Sequence, residues 1–304
     1  MSIPLVSVFM LAYNQKDYIN QSIESILSQR TDFPFELVIG DDKSTDGTRE
    51  ICENYQRKYP DKITLVLNDK NLGIGSNYVK TLDRCKGKYV AICDADDYWI
   101  DSYKIQKQAN FLEKNQNFGI CFTNNYNLFP STKKYPRNAK KIPEISDFQE
   151  LVYSNYIASV TVMFRNDPLP GSMKSWMCEL PYCDWPTYLW VLRNNRKVYF
   201  MPDITAVYRK DFGTSAVLRN QKSKIGEINF QILKNIYSIT EFEDKVHDLE
   251  KSLLKYKIGL ISSYNKEKKY FKSFKMFAKL MISKNFKVGT KFYLYSLKVS
   301  IFES

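Results

Sequence analysis

The stretch AICDADDYW, residues 91–99, ends an apolar run in three carboxylates within four positions: Asp94, Asp96 and Asp97. Like charges this close repel one another, and burial disfavours each of them. A divalent cation answers both problems. Mg²⁺ and Mn²⁺ take hard oxygen ligands, often only one or two carboxylates, and fill the remaining positions with water and phosphate oxygens. Asp94 and Asp96 stand two apart on an extended segment and so project to the same side. A cation held there could bridge a diphosphate and stabilise it as a leaving group. The plainer alternative is a solvated acidic turn that caps a helix starting near Asp101.

Three more polar clusters follow apolar runs in the same half of the chain: YNQKDY, DDKSTDGT and NDKNLGIGSN. In DDKSTDGT, Asp41 or Asp42 could accept a hydrogen bond from the imide N–H of a base. Ser44, Asp46 and Gly47 read as a tight turn and helix cap. NLGIGSN is not a dinucleotide fingerprint, because Tyr78 stands where the third glycine is required. A receiver domain also has paired aspartates, but it is much shorter than this chain and needs no DADD.

The elements that must position these clusters follow from periodicity. LVSVFMLA (5–12), FELVIG (35–40), ITLVL (63–67), KYVAIC (88–93) and FGICFTN (118–124) read as strands. Between them run helical patterns, such as Ile19, Ile23, Ile26 and Leu27, then 76–86, then 101–115 with Ile105, Ala109 and Leu112. Strand–helix alternation predicts a mostly parallel α/β sheet with helices on both faces. Ligands bind such sheets beyond the carboxyl ends of the strands, where all four polar clusters fall. Residues 129–143 read as a basic loop, and SVTVMF (159–164), VYFMP and ITAVYR as further strands. DWPTYLWVLRNN (184–195) opens a helix, with Asp184 as its expected cap. From about 217 the pattern is helical, with breaks near Ser238, Ser263 and Gly289. The expected division is a catalytic domain over 1–216 and a basic helical region over 217–304.

Composition narrows the classes. The 304 residues carry a formal net charge of +12, and residues 251–304 hold 13 lysines against two glutamates. Such a region suits an acidic surface, or is a solvated helix face. Phe271, Phe274, Met276, Phe277 and Leu280 interleave with Lys268, Lys269, Lys272, Lys275 and Lys279. On a helix they predict one apolar stripe flanked by lysines, for a membrane surface, for packing or for a homodimer. Six cysteines without a CxxC pair and a single histidine, His247, argue against a Cys/His zinc site. No aromatic-plus-basic RNA motif accompanies the charge, so nucleic acid is not the expected partner. No basic residue precedes Lys16, no stretch reaches the ~20 apolar residues of a membrane span, and the expected location is cytoplasmic.

In this order and spacing, VSVFMLAYNQKDYINQSIESILSQ, DDKSTDGT, NLG, CKGKYVAICDADDYW and DW resemble the family 2 glycosyltransferases of GT-A fold, in their bacterial surface-polysaccharide form. The resemblance covers roughly residues 4–215. It implies a Rossmann-like sheet with flanking helices, a UDP-sugar donor, a divalent metal (Mn²⁺ or Mg²⁺) and a glycan or lipid-linked acceptor. Tyr13 resembles the aromatic that stacks on uracil, and Asp42, or its neighbour Asp41, the acid on the uracil imide. Leu11, Asn71, Gly73, Asn77 and Ala95 match positions around the nucleotide-sugar. Asp94 and Asp96 match the D-x-D that meets ribose and metal, with Asp97 as an alternative ligand. Asp184 resembles the catalytic base, and Trp99 and Trp185 would line the acceptor. YRKDFGTS (208–215) resembles the closing segment, with Asp211 standing where the family often has a metal-contacting histidine. Cys183 stands where the family often has glycine.

The resemblance implies an inverting, metal-dependent glycosyltransferase acting in bacterial surface polysaccharide synthesis. The alternative is a non-catalytic nucleotide-sugar-binding partner of an active enzyme, and the presence of both Asp96 and Asp184 argues against it.

Overall fold

β1 (Val6–Ala12) and β2 (Phe35–Asp41) are buried along nearly their whole length, which is why they read as unbroken apolar runs. The structure, a computed structural model, describes residues 3–129, 131–132, 136–138, 142–210, 221–282, 293–294 and 296–297. Amphipathic helices connect the first strands: α1 (Lys16–Leu27), α2 (Thr48–Lys58) and, between β3 (Ile63–Leu67) and β4 (Tyr89–Ile92), α3 (Ile74–Leu82). Ile19, Ile23 and Ile26 form the buried stripe of α1. β1 pairs in parallel with both β2 and β4, and β2 with β3. The chain therefore winds outward to β3 and restarts on the other side of β1. That reversal opens a crevice beyond the carboxyl ends of β1 and β4.

β5 (Tyr98–Trp99), β6 (Phe118–Leu128), β7 (Ile145–Ser146), β8 (Val162–Arg165) and β9 (Lys197–Arg209) widen the sheet. The order is β3-β2-β1-β4-β8-β6-β9-β5, with β7 beside β9. β8 is antiparallel to β4 and β6, and β5 and β7 are antiparallel to β9. β6 and β9 are parallel, so the sheet is mixed with most of its strands in one direction. α4 (Lys104–Lys114), α5 (Phe148–Leu151), α6 (Gly171–Met177) and α7 (Asp184–Val191) complete this part of the chain.

Three local expectations change. Residues 159–161 form a 3-10 turn, and strand pairing begins only at Val162. The two short strands expected around residue 200 are one, β9. Its register against β6 jumps between Phe200 and Ile204. Pro202 lies in that irregular stretch, where its missing N–H breaks no ladder bond. The expected break at Ser263 is absent, since one helix runs from Val246 to Lys266. The chain turns instead at Lys268, which takes a left-handed φ of 57°. The expected break at Gly289 lies outside the described residues.

The chain divides into two compact units, Met1–Thr214 and Ser215–Ser304. The second contains α8 (Lys222–Tyr237), α9 (Val246–Lys266) and α10 (Tyr270–Ile282), around Ile232, Leu233, Ile236, Leu249, Leu260 and Ile261. Among the described residues no helix is long and apolar enough to cross a membrane.

Gly75 shows how tightly the first unit is assembled. A Cβ there would lie 2.3 Å from the Met177 carbonyl oxygen and 2.7 Å from the Cys178 carbonyl carbon, at the end of α6. Backbone atoms cannot rotate away. Gly75→Ala should therefore lower unfolding stability by about 1–3 kcal/mol in denaturant titrations. Gly171→Ala, where a Cβ meets nothing within 4 Å, should be neutral or mildly stabilising.

Candidate active site

The D-x-D turn continues the β1–β4 pairing past the end of β4. Cys93 N–H donates to the Phe9 carbonyl at 3.0 Å and Ala95 N–H to the Leu11 carbonyl at 3.2 Å. Ala95 packs into the core, so Asp94 and Asp96 turn the other way and are only partly buried. Burial first, then the charges of Asp96 and Asp184, pushes Asp94 up to about 7. Ser159 Oγ donates to its Oδ2 at 3.4 Å, and a bond from the Leu11 backbone also favours its charge. Burial also raises Asp96, opposed by a bond from its own backbone and by the nearby Arg209 charge.

Asp97, expected as an alternative metal ligand, is placed differently. It is 1 % exposed. Its N–H closes a turn onto the Asp94 carbonyl at 3.0 Å. Its Oδ1 accepts from the Arg209 N–H at 2.8 Å, and its Oδ2 has no partner. The turn carries this third carboxylate under the loop, away from its neighbours' open side. Asp211 lies outside the described residues. Among the described residues no three acidic, imidazole or thiol groups gather closely enough to hold a metal. Asp94 and Asp96 nevertheless suit a hard cation that keeps water and phosphate ligands. They are two oxygen donors whose ionisation is opposed by burial and, for Asp94, by the charge of Asp96.

Asp184 starts α7 as its first helical residue, and the cap is Cys183, not Asp184. Its Oδ2 accepts from Asn155 Nδ2 at 2.8 Å. Burial raises its pKa, against the opposing pull of the backbone of Trp185, of Asn155 and of its own N–H. Asp94 feels the charge of Asp184, and buried Tyr78 and Tyr188 feel both. The end of β4 and the start of α7 therefore bring two carboxylates into one electrostatic environment.

The loops after β1 and β2 are laced together: Asn14 N–H donates to Ser44 Oγ, and Thr45 N–H to Asn14 Oδ1. Tyr13 stands free on this edge, 49 % exposed. Asp41 is wholly internal, accepting from Ser44 N–H and from Arg49 Nε at 3.2 Å. Asp42 accepts from Asn68 Nδ2, Leu72 N–H and Gly73 N–H at 2.8–3.0 Å. A carboxylate offers about four lone-pair directions, so Asp42, 4 % exposed, has one of them unused. Asn71 is exposed beside it. Gly73 takes a φ of 81°, and a Cβ there would meet nothing within 4 Å.

Three expected contacts are corrected. Asn77 is buried, donating to the Gly40 carbonyl and accepting from Asn68 Nδ2, so it fastens α3 to β2 rather than facing a ligand. Trp99 and Trp185, expected at the acceptor, are 4 % and 1 % exposed. Their indole N–H groups donate at 2.9 Å to the Val160 and Leu151 carbonyls. Large apolar rings whose polar atoms are already satisfied belong to the core.

The sequence marked Arg209 only as half of a Tyr-Arg pair. It closes β9, with its guanidinium over the rings of Tyr18 at 4.7 Å and Tyr98 at 4.9 Å. Its side chain donates to the Asp96 carbonyl and to Gln21 Oε1 while its N–H holds Asp97. Asn155 and Ser159, which touch Asp184 and Asp94, gave no sequence signal. Arg209→Lys keeps the charge and loses the planar fork and the stacking. We expect this variant to bind UDP about tenfold more weakly in Mn²⁺, with unchanged affinity in EDTA, by calorimetric titration. Equal weakening in both conditions would show that Arg209 does not act through the D-x-D turn.

Residues 7–168 match Glycosyl transferase family 2. An uncharacterized protein of Mycobacterium tuberculosis is 30 % identical over 213 residues, covering 67 % of this chain and 58 % of that protein. The chain thus spans less than two thirds of that relative. The putative teichuronic acid biosynthesis glycosyltransferase TuaG of Bacillus subtilis is 31 % identical over 210 residues, covering 68 % of this chain and 79 % of TuaG. Residues 1–349 of S. aureus TarS in complex with UDP-GlcNAc superpose with a TM-score of 0.62 at 18 % identity, over 97 % of this chain and 90 % of that one. The mannosyltransferase PcManGT of Pyrobaculum calidifontis, in complex with GDP-Man and Mn²⁺, gives 0.57 at 16 % identity, over 100 % and 89 %. At these identities the structural likeness shows the fold. The family match spans more than half of the sequence, and on that ground the chain belongs to glycosyl transferase family 2.

Proposed function

We propose that this chain transfers a sugar from a UDP-sugar to a hydroxyl of a glycan or lipid-linked acceptor, with inversion, in bacterial surface polysaccharide synthesis. The observation that carries the reading is that one short segment reaches both carboxylates, Asn155 Nδ2 donating to Asp184 at 2.8 Å and Ser159 Oγ to Asp94 at 3.4 Å. The names of TuaG and of the UDP-GlcNAc-bound TarS support the pathway and the donor. Every residue named in this reading belongs to the first unit, Met1–Thr214.

Asp184 takes the proton from the acceptor hydroxyl. As it does so, the acceptor oxygen bonds to the anomeric carbon and the bond from that carbon to UDP breaks. The base must lie on a rigid element so that its reach is fixed. A helix start supplies that, and the Asn155 amide turns the carboxylate. The burial that raises Asp184 makes it a stronger proton acceptor than an ordinary carboxylate. Asp94 and Asp96 would hold a divalent cation, which when bound supplies positive charge to the departing diphosphate. Tyr13 offers its open ring face to the base, and Asp42 its remaining lone pair to an imide N–H.

Asp184→Asn tests the base. Asp184 is not the cap, so the change should leave the thermal midpoint and the affinity for UDP nearly unchanged. Transfer should fall by ~10²-fold or more. A fully active variant removes the base from this mechanism. The metal is tested by UDP release from a panel of UDP-sugars with Mn²⁺, with and without EDTA. Release should stop in EDTA and in Asp96→Ala. Full turnover in EDTA would reject the metal, and no release from any donor under any condition would favour the non-catalytic binding partner.

A further inference from the structure

We propose that α10 docks this chain on an anionic lipid surface through Phe271 and Phe274. The expected single apolar stripe is in fact two. One faces inward: Ser273 and Leu280 are buried, and Phe277 stacks on Tyr293 with centroids 4.2 Å apart and an interplanar angle of 11°. The other faces outward: Phe271 and Phe274, one helical turn apart, are 80 % and 56 % exposed, with Tyr270 beside them. Packing within the second unit thus accounts for the inward stripe and leaves the outward one exposed, without a partner among the described residues.

Charge selects the occupant. Lys268, Lys272, Lys275 and Lys279 are exposed along the same helix and the turn before it. Lys272 pairs with Glu227 at 3.0 Å, whereas Lys275 and Lys279 make no ion pair among the described residues. The 13 lysines against two glutamates over 251–304 extend that sign across the region. A second copy of the chain would bring like charges together at the phenylalanines, so self-association is disfavoured. An anionic headgroup layer over an acyl interior matches both parts, lysines at the phosphates and phenyl rings at the boundary below. A nucleic acid strand shares the negative charge. It needs a groove or a flat stacking platform, and a convex helix ridge supplies neither.

The test uses the full chain with vesicles of phosphatidylcholine mixed with phosphatidylglycerol, and vesicles of phosphatidylcholine alone. Co-sedimentation is expected only with the anionic vesicles, and it should weaken as salt is raised. Phe271→Ser combined with Phe274→Ser should weaken it about tenfold or more, with an unchanged thermal midpoint because both side chains are exposed. Lys275→Glu with Lys279→Glu should weaken it as well. Sedimentation that ignores lipid charge or survives the double phenylalanine change overturns the proposal. So does a concentration-dependent dimer, or binding of a single-stranded oligonucleotide, that the phenylalanine change abolishes. Docking is read apart from catalysis. Vesicle binding without UDP release would leave the docking intact and remove the transfer reading.

Discussion

Crowding of negative charge at the carboxyl end of β4 is the constraint around which this site is arranged. The parallel pairing of β1 with β4 continues through Cys93 and Ala95. It thereby dictates that Asp94 and Asp96 share a side. Burial and repulsion then oppose the ionisation of Asp94 and Asp97, and burial opposes that of Asp96 and Asp184. Each carboxylate is handled differently. Asp97 goes underneath and binds the β9 backbone, Asp184 is held by Asn155 at a helix start, and Asp94 and Asp96 keep open sides. A favourable dipole at the start of α7 helps one of them. Ser159, the Leu11 backbone and Arg209 only partly offset that opposition, and a cation bound at the switch point would relieve it.

The end of β2 shows the opposite use of the same residue type. Asp41 and Asp42 also follow a buried strand, yet the chain supplies them with donors from Ser44, Arg49, Asn68, Leu72 and Gly73. Asp41 is spent on shaping these loops, and Asp42 keeps one lone-pair direction unused. The two strands that flank β1 thus end in similar acidic clusters with different tasks. The internal donors that reach each carboxylate separate them: three at 2.8–3.0 Å for Asp42, against a long bond from Ser159 and one from the Leu11 backbone for Asp94. A carboxylate satisfied by its own chain is a structural strut, and one left short is available to a ligand.

The helical unit follows a related logic with apolar surface. Alternating phenylalanine and lysine give α10 more apolar residues than one packing face can use. Leu280 and Phe277 are taken up by neighbours and Phe271 and Phe274 are not. Exposed aromatic side chains beside exposed lysines mark a surface suited to contact rather than to solution.

Periodicity and strand-end position were enough to read the α/β order, the location of the four polar loops and the candidacy of Asp94 and Asp96, while Asp184 was singled out by the family resemblance. These are local properties: a buried strand looks apolar, a helix repeats every 3.6 residues, and the chain must turn where polar residues gather. Asp97, Trp99, Trp185 and Asn77 were misread because burial is not local. The motif that carries Asp97 does not reveal that the end of β9 comes to meet it, and a tryptophan at the right distance from a motif looks the same whether it faces a pocket or the core. Asn155 and Ser159 were not legible as site residues, and Arg209 only as part of a closing segment, since each acts on a carboxylate far away in the chain. Arg209 and Asp97 are 112 positions apart. Residue type and spacing determined which groups could do chemistry here. Only the tertiary structure decided which of them were left free to do it, because the donors that satisfy or spare a carboxylate arrive from distant strands and helices.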